Sequence, residues 1–88
     1  MSVKVCIPPN MEHLTNKTQV VEVEGVTVGG CLQHLVKQFP SIQKELFAKD
    51  GKLNFTIEIF VNAESAFPQE LLKPVKDGDE VYISGGAM

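Results

Sequence analysis

Apolar and polar positions alternate at the start of the chain, and the period then changes. Val3, Val5 and Ile7 are interleaved with Lys4 and Cys6, the two-residue rhythm of a strand that buries one face, and Pro8-Pro9 ends it by removing two amide donors. The polar stretch from Asn10 to Lys17 reads as a loop. Extended β-branched sequence resumes at Thr18-Gln19-Val20-Val21-Glu22-Val23, and Glu24-Gly25 turns the chain, so these two strands should pair as a hairpin. Thr27 is then placed to cap a helix whose apolar positions Val28, Cys31, Leu32, Leu35, Val36 and Phe39 recur every three or four residues on one face. Pro40 closes that helix. Ser41 is placed to cap a short second one carrying Ile42, Leu46 and Phe47, before Lys49-Asp50-Gly51 breaks the pattern.

Alternation returns most strongly in Phe55-Thr56-Ile57-Glu58-Ile59-Phe60-Val61. Phe67-Pro68 and Leu71-Leu72 are expected to cover the edge of the core in turns or one helical turn. Lys76-Asp77-Gly78-Asp79-Glu80 is a turn signature in which Gly78 supplies a positive φ, and Val81-Tyr82-Ile83 is the final strand. Asp77 and Asp79, on either side of a turn glycine, are read as turn caps rather than as an acid–base pair. The order of elements predicts an α+β fold, a sheet covered on one face by one long helix. Parity then describes the other face: if Val5, Ile59 and Ile83 point at the helix, Cys6, Phe60 and Tyr82 point away, joined by Val20, and this apolar patch reads as a partner-docking surface.

Composition narrows the setting. With 88 residues there is room for one domain with a modest core, expected over 1–84, followed by a flexible tail over 85–88. A net charge of -3 without a Lys/Arg cluster argues against nucleic acid, whose phosphates need a concentrated positive surface. The chain enters strand pattern directly from Met1-Ser2-Val3, with no leader-like segment, and no apolar run is long enough to span a membrane, so a cytoplasmic location is expected. Cys6 and Cys31 form no CxxC, so neither a metal knuckle nor a redox pair is expected. Cys31 is read as packed, with His34 facing solvent and His13 on the surface.

The chain ends Ser84-Gly85-Gly86-Ala87-Met88. Two adjacent residues without a β-carbon can be threaded through a slit too narrow for any side chain, a shape required where the terminal carboxylate is the reacting group. A glycine pair alone is equally what a frayed terminus looks like. What raises it is the set of motifs around it: Thr27-Val28-Gly29 opening the long helix, Phe39-Pro40 ending it, Phe60-Val61-Asn62 closing the central strand, and Val75-Lys76-Asp77-Gly78-Asp79-Glu80-Val81 before the Gly85-Gly86 tail. In this order and spacing the chain resembles the MoaD/ThiS sulfur carriers over nearly its whole length.

The resemblance implies a ubiquitin-like β-grasp, a mixed sheet in which the first and last strands are central parallel neighbours. It implies that the chain is a carrier and not an enzyme, binding no cofactor of its own. The Gly86 carboxylate would be adenylated by an activating enzyme that holds ATP and Mg²⁺, then converted to a thiocarboxylate, with Gly85 easing the threading of the tail. No GxxxxGK[ST] phosphate loop is present to hold the nucleotide on this chain. Ala87 and Met88 extend past the glycines, as in the subset of carriers whose extension is removed by a zinc metalloprotease. That subset implies delivery of sulfide to a sulfur-accepting synthase for cysteine or homocysteine. The alternatives are the small subunit of molybdopterin synthase and a ubiquitin-like modifier or docking module. Only five residues separate Asp79 from Gly85. The tail is thus shorter than in typical members, so reach would come from fraying of the last strand or from a differently shaped partner.

Overall fold

A computed structural model describes residues 2–49, 51–54, 56–67 and 69–85. Five strands form one mixed sheet: β1 (Ser2–Cys6), β2 (Val20–Glu24), β3 (Ile57–Val61), β4 (Glu64–Ser65) and β5 (Glu80–Gly85), in the spatial order β2-β1-β5-β3-β4. β1 pairs antiparallel with β2 and parallel with β5, and β5 pairs antiparallel with β3. The first and last strands are therefore parallel neighbours inside the sheet, the β-grasp arrangement.

Helix α1 (Val28–Gln38) covers one face. It begins where the pattern placed it: the Thr27 hydroxyl accepts from the Gly30 amide at 3.1 Å, satisfying one of the free N–H groups of the first turn. Val28, Cys31, Leu32 and Leu35 are buried against Val3, Val5, Val23, Ile59 and Val81. The helix also reaches the free edge of β2. There the Glu24 amide donates to Nδ1 of His34 at 2.7 Å, and Nε2 of Gln38 donates to the Glu22 carbonyl at 3.1 Å. His34 is thus half-buried with a structural partner, not a solvent-facing side chain.

Several local expectations are corrected. The segment read as a loop contains a 3₁₀ helix, Pro9–Thr15, with Met11 and Thr15 buried; its polar surface residues hide one apolar contact per turn. Ser41 caps nothing, because Pro40–Ile42 is itself a 3₁₀ turn running into the short helix α2 (Gln43–Leu46), which has no side-chain cap. Phe67 and Leu72 do not cover the core, being 74% and 78% exposed, and it is Ala66 that is buried there, with Leu71 packed against the core. Phe55 and Pro68, read as strand and turn, lie outside the described residues.

The turn before β5 is the best-fastened loop. Gly78 has φ +88°. The Asp79 carboxylate accepts from the Lys76 amide and from Nδ2 of Asn62, both at 2.9 Å, while Oδ1 of Asn62 accepts from the Glu80 amide at 2.9 Å. Asn62 and Ala63 both have positive φ, 51° and 71°, as a tight hairpin between β3 and β4 requires. Asp77 accepts from the Ser2 amide at 2.8 Å. Both aspartates therefore serve the turn.

Candidate functional site

The site grows from the strand register. Cys6 stands opposite Val20 on one side and Tyr82 on the other, and Tyr82 stands opposite Phe60. The four residues expected on the open face thus form one continuous row, Val20–Cys6–Tyr82–Phe60, across β2, β1, β5 and β3. Val20 is 49% and Tyr82 40% exposed, while Cys6 and Phe60 are half-buried by their neighbours. A shallow depression of about 450 Å³ lies at the Phe60 end, lined by Phe60, Ala63, Tyr82, Ile83 and Ser84. Two others, of about 420 and 560 Å³, lie beside Phe67 and Phe47.

The neighbouring row is charged: Glu22, Lys4 and Glu80 stand opposite one another on β2, β1 and β5. The Tyr82 hydroxyl donates to the Glu80 carboxylate at 3.0 Å. That hydrogen bond, with the carboxylate's charge, raises the Tyr82 pKa above its ordinary value. Burial, followed by the charge of Glu80, pushes the Cys6 thiol up, and burial does the same to Cys31. Neither thiol is tuned to be a nucleophile, and the row is a neutral, largely apolar band. Among the described residues no group of three His, Cys, Asp or Glu side chains is placed to hold a metal ion. No described helix is long and apolar enough to cross a membrane.

β5 carries Tyr82 and runs on through Gly85, one residue past the expected boundary between domain and tail. Gly85 stands opposite Ile57 with φ +87°, and a β-carbon on it would collide with the Thr56 carbonyl oxygen. Its lack of a side chain is therefore required by the body of the fold, a role that sequence reasoning missed because a terminal glycine pair looks the same whichever residue needs it. Gly86, Ala87 and Met88 lie outside the described residues.

The sequence matches no family model and no curated protein. Solved structures do match. A chain of the BexX/CysO complex of Amycolatopsis orientalis is 30% identical, with a TM-score of 0.88 over 98% of this chain and 97% of that one. CysO of Mycobacterium tuberculosis is 30% identical, with a TM-score of 0.86 over 97% and 99%. Small archaeal modifier protein 1 of Haloferax volcanii is 25% identical, with a TM-score of 0.83 over 93% of each chain. Identity of 30% sustained over nearly the full length of both partners, on one shared topology, places this chain in the MoaD/ThiS family of ubiquitin-like sulfur-carrier proteins.

Proposed function

We propose that this protein carries sulfide on the carboxylate of Gly86 after Ala87 and Met88 have been removed, and that the sulfide goes to cysteine or homocysteine synthesis. The observation that carries the reading is the placement of Gly85 at the end of β5, the middle strand of the sheet, which also bears Tyr82 of the open apolar row. A partner seated on that row is positioned to receive the tail. The similarity to a CysO complex supports an enzyme partner of this kind.

The chemistry follows from what a carboxylate lacks. It is a poor electrophile, so an oxygen of the Gly86 carboxylate attacks the α-phosphorus of ATP on the activating enzyme, and pyrophosphate leaves. Hydrosulfide then adds to the acyl carbon and AMP departs, leaving the thiocarboxylate. ATP and Mg²⁺ belong to the activating enzyme, and zinc to the metalloprotease that clips the extension. The chain supplies a bare acyl terminus and a docking face, and a sulfur-accepting synthase is the last partner.

Intact mass tests this directly. Incubation with the protease should remove Ala87-Met88, and the activating enzyme, ATP and a sulfur donor should then add the mass of one oxygen exchanged for sulfur. Gly86→Ala should fold normally and block the second change. Retention of both terminal residues under every condition would sink the reading. Recovery of the chain joined by isopeptide bonds to lysines would favour a modifier, the direction in which similarity to the archaeal modifier points.

A further inference from the structure

The backbone of β5 divides its hydrogen bonds between two neighbours. The Asp79 carbonyl accepts from the Lys4 amide on the β1 side at 3.0 Å, and the Glu80 carbonyl accepts from the Asn62 amide on the β3 side at 2.9 Å. Alternate residues of a strand face alternate neighbours, so counting on by twos from Asp79 puts the Gly85 carbonyl on the β1 side. By then β1 has stopped. Its pairing with β5 ends at Cys6 and Tyr82, and the chain departs through Pro8 and Pro9, which have no amide hydrogen to offer. The donor that replaces the missing strand is a side chain: Nδ2 of Asn10 donates to the Gly85 carbonyl at 3.3 Å. On the opposite side Gly85 is still in register with Ile57 and packed on the Thr56 carbonyl.

We propose that Asn10 and the Thr56–Ile57 backbone form a clamp on Gly85, so that the tail has a clamped and a released state, and that release presents the terminal carboxylate to a partner. Asn10 is then a positioning residue, acting through Gly85 on a group it does not touch. The purpose of release rests on the carrier reading; the clamp itself does not. Freeing Ser84 and Gly85 from the sheet lengthens the tail by about 7 Å at roughly 3.3 Å per residue. The hold is weak by design, since one exposed hydrogen bond shifts an equilibrium by only about threefold to tenfold.

The test uses the full chain and needs no partner enzyme. Heteronuclear NOE values on ¹⁵N-labelled protein should show Gly85 as ordered as Ile83 in the wild type. Asn10→Ala and Asn10→Asp, neither of which keeps the amide donor, should both loosen Gly85 and speed carboxypeptidase trimming past Ala87 by about threefold to tenfold, with the amide shifts of α1 unchanged. Asn10→Gln, which keeps the donor, should recover part of the order. Gly85 found clearly less ordered than Ile83 in the wild type, or trimming rates equal across all four proteins, would overturn the clamp. A clamped chain that never gains sulfur would sink only the carrier reading, and a sulfur-charged chain with a loose Gly85 would sink only the clamp.

Discussion

On the face turned to α1, strands β1, β3 and β5 present Val3, Val5, Ile57, Ile59, Val81 and Ile83, none more than 4% exposed. On the other face the same strands present Lys4, Cys6, Glu58, Phe60, Glu80 and Tyr82, and Tyr82 alone is 40% exposed. Parity makes the two faces equally available to apolar residues, yet only one is spent on folding. The open face keeps a single apolar row and lines it with charge, which limits non-specific contact. Stability is thereby confined to one side of the sheet, and under the proposed function recognition falls to the other.

Substitutions can break that separation, and the largest effect belongs to the covered face. Leu35→Ala removes a fully buried side chain from α1 and should destabilise by about 2–5 kcal/mol, read from urea unfolding. In a domain whose whole margin is about 5–15 kcal/mol this removes a large share of the stability. A smaller effect belongs to Asp79, in the turn that leads into β5. The hydrogen bonds from Asn62 and from the Lys76 amide hold its carboxyl below the usual carboxylate range. Its contribution is therefore complete above the unfolded value near pH 4 and is lost as pH falls through the lower folded value. Asp79→Ala should lower the melting temperature by several degrees at pH 7 and flatten the acid limb of the stability curve below about pH 4. An acid limb identical to the wild type's would show that the turn is held by something else.

The smallest stability effect belongs to the open face. Phe60→Asp should move the unfolding free energy by no more than about 0.5–1 kcal/mol. Affinity for the activating enzyme, measured by titration calorimetry, should nevertheless fall at least about tenfold, the consequence of setting an unpaired charge against an apolar contact. Unchanged affinity would mean that the row is not the docking surface.

The division between faces was legible because strand periodicity is a local property. Val5, Ile59 and Ile83 on one side, and Cys6, Phe60 and Tyr82 on the other, follow from counting by twos, and Thr27 announces α1 through its own hydroxyl. What escaped notice depends on partners distant in the chain. Met11 and Thr15 are buried because the 3₁₀ helix packs against the core beside Pro40–Ile42, and their polar neighbours mask it. Leu71 packs and Leu72 does not, although nothing local tells two adjacent leucines apart. Glu64–Ser65 becomes a strand only because the Asn62-Ala63 turn lays it against Phe60 and Val61. Gly85 needs its missing β-carbon because Thr56 lies against it, a contact between residues almost thirty positions apart.

The grip of His34 and Gln38 on β2 has a consequence for the protein in a crowded solution. A second molecule that tries to anneal along that margin finds the Glu24 amide and the Glu22 carbonyl already occupied, so backbone-to-backbone growth of ribbons or fibrils must first dislodge α1. Self-association is turned away at that border, two strands away from the exposed ring of Tyr82.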